Sequence, residues 1–211
     1  MTTEKKYRLT NESITIYGRR LYRIEALKDF YIVEKGDKGG FIESEKNLSQ
    51  KGDCWVYGDA KVCGNAEVYG DAKVYGDAEV YGDAEVCGNA EVYGDAKVYG
   101  DAEVYGDAKV CGNAEVYGDA KVCGNAEVCG NAEVYGDAKV VNNADYIVFK
   151  NWWSSGRYFT WTRSNNMWRV GCFYGTGEEL IAKAYKDSEL SGREYERVVK
   201  YVESILKDSK Q

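Results

Sequence analysis

Valine recurs every six residues from Val56 to Val140 without a miss, and alanine stands four positions after each valine from Ala60 to Ala138. Tyr or Cys, then Gly, then Asp or Asn lie between them, and Lys or Glu follows each alanine, so that fourteen complete units fill 56–139. A β-branched residue suits an extended strand, and alanine is small enough for a tight interior corner. With Val and Ala facing inward, Tyr/Cys and Lys/Glu face outward. Gly followed by Asp or Asn supplies the bend, because these residues tolerate left-handed backbone angles best. Three such strands close a triangular coil of eighteen residues. Coils stack at the strand spacing of about 4.8 Å, so five or so of them make a prism roughly 25 Å tall. Upstream, Gly52-Asp53-Cys54 is in register with Gly-Asp-Ala of the repeat and reads as a degenerate first rung closed by Trp55.

An aliphatic residue, three arbitrary residues and a small residue, as in Val56 with Ala60, resembles the motif of the hexapeptide-repeat family, which forms left-handed β-helices. The resemblance covers about 40 % of the chain and is specific for fold, not for activity. It implies a mainly β protein: a left-handed parallel β-helix with a small N-terminal β cap and a C-terminal α+β cap. The lead-in GGFIESEKNLS at 39–49 is similar to that of uncharacterised bacterial and phage or prophage proteins, often labelled transferases on fold alone. The expected organisation is an N-terminal β cap over 1–49, the β-helix over 50–144 and a C-terminal unit over 145–211.

Units three apart should stack. One outer column is then Lys61, Glu79, Lys97, Glu115, Glu133 and a second is Lys73, Glu91, Lys109, Glu127, so opposite charges alternate and oppose slippage between coils. The third, Glu67, Glu85, Glu103, Lys121, Lys139, is less well matched. Tyr57, Tyr75 and Tyr93 stack on one face and Tyr81, Tyr99, Tyr117 and Tyr135 on another, as outer packing or as a flat aromatic binding face. Cys111 and Cys129 fall on adjacent coils and are expected as thiols in van der Waals contact. Residues 62–85 and 86–109 are identical except at the last position. That 24-residue duplication is one and a third coils, which rotates each copy onto the next face and points to a spacer or scaffold whose specificity lies at its ends.

Outside the array the pattern changes. Strands are expected at 7–10, 14–17, 21–27 and 40–43, then at 146–153, 157–163 and 167–174, with turns at Ser154-Ser155-Gly156 and Ser164-Asn165-Asn166. Two helices follow, each opened by a capping box, Thr176 with Glu179 and Ser191 with Glu194. The second carries an apolar stripe of Tyr195, Val198, Val199, Val202, Ile205 and Leu206. The C-terminal sheet is rich in Trp and Arg, and Trp153, Arg157, Tyr158, Trp161, Arg163 and Trp168 are the candidate ligand or partner site: a ring stacks on the aromatics while a guanidinium holds a phosphate or carboxylate. The alternative is a small core with arginines snorkelling outward.

Charge and composition narrow the chemistry. The chain of 211 residues carries a formal net charge of −7, and the array alone holds six Lys against seventeen Asp and Glu, a net of −11. Direct nucleic-acid binding is therefore disfavoured. There is no histidine and no proline. Acyltransferases of this fold resemble one another in using a histidine base, and its carbonic-anhydrase relatives bind zinc through histidines. Neither chemistry has its residue here. The repeat cysteines are dispersed over three faces while Cys54 and Cys172 are single, so no metal, cofactor or catalytic residue is expected. The polar start Met1–Lys6 and the lack of a long apolar run suggest neither a secretory signal nor a membrane span. A cytosolic protein with reduced thiols is expected.

The reading these features favour is a non-catalytic binding or scaffold protein of prophage type, oligomeric, engaging a host (defence) protein or a small anionic ligand. The alternatives are an acyl- or nucleotidyl-type transferase without the usual histidine, and an acidic nucleic-acid mimic.

Overall fold

The computed structural model describes residues 4–208, so Met1–Thr3 of the polar N-terminal segment lie outside the described residues. The chain forms two compact units, one ending at Asp145 and one beginning at Tyr146.

The first unit is a parallel β-solenoid of about six turns. Fifteen two-residue strands, from Trp55–Val56 (β4) to Lys139–Val140 (β18), stack in three parallel sheets. Valine sits on valine throughout: Val62, Val80, Val98, Val116 and Val134 line one sheet. Every Val and Ala of the repeat is buried, so the interior is a dry stack of methyl groups, the largest favourable contribution such a fold has. The first coil is recruited from outside the repeat. Ile42 pairs in parallel with Val62, and Leu48 bridges to Val68. Cys54 stands in the alanine position and is fully buried with Trp55.

The corners explain the invariant glycines. Gly94 has φ +74°, and a Cβ there would lie 3.0 Å from the backbone nitrogen of Gly112, one coil above. Close coil-to-coil approach and a left-handed backbone thus both demand glycine.

Because all coils run the same way, the solenoid has chemical polarity. Amides of each coil donate to carbonyls of the next, as Glu79 N does to Ala96 O at 3.0 Å. The first coil therefore points carbonyls outward and the last points N–H groups outward, and each end must supply the missing partner. Donors stand at the first end. Lys6 Nζ donates to Gly52 O at 3.1 Å and Cys54 O at 2.8 Å. Arg23 Nη1 donates to Gly58 O at 3.0 Å. Asn47 Nδ2 donates to Gly64 O at 3.0 Å and Ala66 O at 2.9 Å. Acceptors stand at the other end. Asn143 Oδ1 accepts from Glu127 N at 2.7 Å, and Asp145 Oδ2 accepts from Val141 N at 2.9 Å and Asn142 N at 3.0 Å.

The N-terminal strands differ from expectation in one respect. Residues 7–10 and 14–17 do not form two strands but one, β1 (Tyr7–Ile16), with an irregularity between Leu9 and Ser13. It pairs with β2 (Arg19–Ala26), which pairs with β3 (Lys38–Ile42), and β3 extends one solenoid sheet. The side-chain register lets the irregularity absorb the polar run Thr10-Asn11-Glu12 without ending the strand.

The second unit is a four-stranded antiparallel sheet, β19 (Tyr146–Lys150), β20 (Tyr158–Thr162), β21 (Met167–Val170) and β22 (Phe173–Gly175), with helices α1 (Gly177–Asp187) and α2 (Glu189–Asp208). The expected third strand is two, because Gly171 turns the chain at φ +55°. Thr176 and Glu179 form the capping box that opens α1. The second expected box does not exist: α2 starts at Glu189, Ser191 lies inside it, and Ser188 Oγ accepts from Ser191 N at 3.1 Å. One residue separates the helices, so the serine at the junction does the capping. Among the described residues no helix is long and apolar enough to cross a membrane.

Gly94→Ala and Gly130→Ala form a matched test, since both glycines have φ +74° but a Cβ at Gly130 meets nothing within 4 Å. Both should lose about 1–2 kcal/mol of stability from the left-handed backbone, and Gly94→Ala should lose more in chemical denaturation because it also pushes two coils apart.

Candidate functional site

The outward columns stack in the expected register, Lys73 under Glu91 under Lys109 under Glu127 for example, but the carboxylates are used differently. A tyrosine hydroxyl reaches the glutamate sixteen residues on, which belongs to the coil above. Tyr69 donates to Glu85 at 2.9 Å, Tyr75 to Glu91 at 2.8 Å, Tyr99 to Glu115 at 2.8 Å and Tyr117 to Glu133 at 3.2 Å. Tyr57, Tyr81, Tyr93 and Tyr105 have lysine at that offset, which offers no acceptor for the phenol proton. Tyr57 Oη is buried without a hydrogen-bond partner. The expected alternating ion ladder is thus largely a tyrosine–glutamate ladder. An ion pair does form in the column expected to be least matched, Lys121 Nζ to Glu103 at 2.7 Å. Asparagines extend the same logic at the corners, with Asn65 Nδ2 donating to Asp83 and Asn89 Nδ2 to Asp107, both at 2.9 Å.

The rings stack as the spacing requires, Tyr75 on Tyr93 and Tyr81 on Tyr99 at 4.8 Å between centroids. Cys63 interrupts the second stack for a steric reason: it packs under the β1–β2 hairpin with Leu21 and Phe41. Tyr17 at the hairpin tip restores what Cys63 omits. Its ring lies 5.6 Å from that of Tyr81, and its hydroxyl donates to Glu79 at 2.9 Å, the glutamate sixteen positions after Cys63.

Cys111 and Cys129 are disulfide-bonded, which corrects the expectation of thiols merely in contact. Parallel in-register stacking brings their Cα atoms to 4.6 Å, inside the range disulfides span. The oxygen of Glu127 and the two sulfurs all lie within 4.8 Å of one another.

The C-terminal residues singled out from sequence are distributed between core and rim. Trp161 and Trp168 face each other across β20 and β21 and are buried with Phe159. Trp161 Nε1 donates to Asn166 Oδ1 at 3.0 Å. Both line a cavity of about 270 Å³ beside the start of α1. Trp153 packs half-buried against Phe159 and Tyr195, with its Nε1 buried and unpartnered. Arg157 is exposed and lines a separate cavity of about 50 Å³ with Cys172, Lys183 and Asp187. Tyr158 is half-buried with Lys150 Nζ 5.7 Å from its ring, and Arg163 is exposed. Trp152, absent from the sequence-derived set, is 80 % exposed.

The concavity that sequence reasoning missed lies at the first end of the solenoid. It measures about 750 Å³ and is lined by Lys5, Lys6, Lys28, Lys51, Phe30 and Gln50, together with Glu4, Asp29 and Asp53. Burial pushes the Lys6 ammonium below the usual lysine range, yet its three hydrogens are taken by Gly52 O, Cys54 O and Cys54 Sγ. Desolvation likewise raises the neighbouring Cys54 thiol. Lys5 is paired with Glu45 at 2.7 Å. Lys28 and Lys51 complete the basic wall. These lysines are scattered along the sequence and converge only because the hairpin folds over the first coil.

No protein-family model matches this sequence, and no curated protein matches it.

Burial first raises the tyrosine hydroxyls from an ordinary 10.0: Tyr81 to about 12, with the charges of Tyr17, Glu115 and Glu79 adding to it, and Tyr75 and Tyr99 further, because each also donates to a glutamate. A folded-state pKa above the unfolded one stabilises the fold fully below pH 10 and loses that contribution as pH rises through the folded value. Spectrophotometric titration should therefore show a large fraction of tyrosines ionising above pH 10 in the native protein and near pH 10 in denaturant. Tyr99→Phe should cost about 1 kcal/mol, whereas Tyr93→Phe, with Lys109 at the sixteen-residue offset, should be nearly neutral in the same denaturation assay.

Proposed function

We propose that this protein is a non-catalytic binding protein of the hexapeptide-repeat type, in which the solenoid is a rigid support and a small anionic ligand binds in the cavity over its first coil. The observation that carries the reading is a 750 Å³ concavity on whose wall four lysines, Lys5, Lys6, Lys28 and Lys51, outnumber the three carboxylates of Glu4, Asp29 and Asp53, in a chain of net charge −7. An anion bound between the lysines offsets the part of their mutual repulsion that these carboxylates leave. Lys28 and Lys51 are the binding pair in this reading. Lys6 positions the floor, since its ammonium is committed to backbone carbonyls. Phe30 adds an apolar wall, its ring 5.2 Å from that of Trp55. The self-bonded faces supply stiffness, and the rotating duplication makes any one face a poor place for a single conserved pocket.

Isothermal titration with inorganic phosphate, pyrophosphate and a nucleoside monophosphate tests the proposal. One site per chain should appear, weakening with salt. Lys28→Ala with Lys51→Ala should lose at least about tenfold in affinity, the equivalent of one charge-assisted hydrogen bond. Lys35→Ala, outside the cavity lining, should change nothing. Absence of saturable binding to all three probes, or binding indifferent to the double substitution, would discard the assignment.

A further inference from the structure

The repeat carries five cysteines, at 63, 87, 111, 123 and 129, and of these the pair eighteen apart, Cys111 and Cys129, alone stacks on adjacent coils. The tyrosine rule then gives this pair a third member. A residue in the Tyr/Cys position faces the acidic or basic residue sixteen positions on, and for Cys111 that residue is Glu127. Elsewhere the geometry brings a phenol to a carboxylate, as Tyr75 to Glu91 one coil above on the same face. Here it brings two sulfurs and a carboxylate together, with all three ligand atoms within 4.8 Å of one another and Cys129 Sγ 3.5 Å from Glu127 Oε1. The coil-to-coil step sets this spacing. The two cysteine Cα atoms are 4.6 Å apart and both side chains leave the same face of the sheet. Two thiolates on one tetrahedral zinc lie roughly 3.8 Å apart, for Zn–S bonds of about 2.3 Å. Small rotations about the Cα–Cβ bonds therefore convert a bonded pair into a chelating one without moving the backbone.

We infer that Cys111, Cys129 and Glu127 form a redox-gated site for a thiophilic divalent cation of the zinc and cadmium class. In the oxidised form the sulfurs are bonded to each other and offer no thiolate. A thiol reductant opens the site by exchange: the S–S bond breaks, two reductant thiols become one disulfide, and two cysteine thiols are left. The cation then displaces two protons and takes two S–metal bonds and one O–metal bond, with water in the fourth position. Glu127 is exposed while Cys111 is buried, so the open coordination position faces solvent and the ion exchanges with it. Thiolates rather than oxygens dominate the donor set, which selects zinc or cadmium over magnesium and calcium.

The test uses the full-length protein in four forms: wild type, Cys111→Tyr, Glu127→Gln and Cys172→Ser. Cys111→Tyr restores the residue that fills most units of the repeat and so preserves the fold, which circular dichroism checks. Each form is reduced, freed of reductant under anaerobic conditions and titrated with Cd²⁺, with the thiolate-to-cadmium charge-transfer band as readout. Reduced wild type and Cys172→Ser should bind one Cd²⁺ per chain with a full band, and oxidised wild type should show none. Cys111→Tyr should lose the band. Glu127→Gln should keep the band but bind at least about tenfold more weakly, the loss typical of even an outer-sphere partner. A reduced wild type that develops no band, or a Cys111→Tyr protein that keeps one, overturns the inference. So does a Cys172→Ser protein that loses it.

Discussion

Every coil must repeat the coil beneath it, because the main-chain ladder joins each amide to a carbonyl of the next turn, as Lys97 N to Ala114 O at 2.9 Å. That constraint fixes the rest. A valine or alanine lost from one coil would open a gap against its neighbours above and below, and a change of spacing would carry every following side chain to another face. It also makes the ends chemically unlike. Carbonyls point out at the first and N–H groups at the last, and buried polar groups left unpaired are expensive. Lys6, Arg23 and Asn47 at one end, and Asn143 and Asp145 at the other, are substitutes for coils that do not exist.

Strict repetition has a second consequence on the outside. Each side chain meets the same two offsets, sixteen and eighteen residues on, so outer chemistry is decided by which residue types the repeat places at those distances. Phenol meets carboxylate and a hydrogen bond forms. Phenol meets ammonium and the carboxylate bond is lost, as at Tyr57. Thiol meets thiol and carboxylate, and a soft-metal donor set arises. The energy of any one exposed pair is small, but the register is shared by all of them, and slippage by one unit would undo them together.

The two proposed sites lie where repetition stops or where its residue types coincide. The lysine-lined concavity exists because a hairpin must cover the first coil and brings Lys5, Lys6 and Lys28 over Gln50 and Lys51. The same hairpin explains Cys63 and the exposed Tyr17, which are otherwise arbitrary departures from the repeat. The aromatic sheet of the second unit answers a different need: a unit of sixty-odd residues spends Phe159, Trp161 and Trp168 on its core, as small domains with little interior must.

The sequence by itself determined the solenoid, its three sheets, the inward valines and alanines, the vertical columns and the degenerate rung at Cys54, because a six-residue period allows few backbones and names every neighbour. It also located the first C-terminal helix through its capping box at Thr176. Tertiary structure decided the rest. Which of Phe159, Trp161 and Trp168 face a core cannot be read from alternation when both faces of a strand are covered, as the buried Thr160 and Thr162 show for β20. The tyrosine–glutamate offset of sixteen follows from the outward lean of side chains between coils, which a period alone does not give. The N-terminal cavity needed residues forty or more positions apart to meet, and only chain folding, with the carbonyls of an unpaired first coil to cap, brings them there.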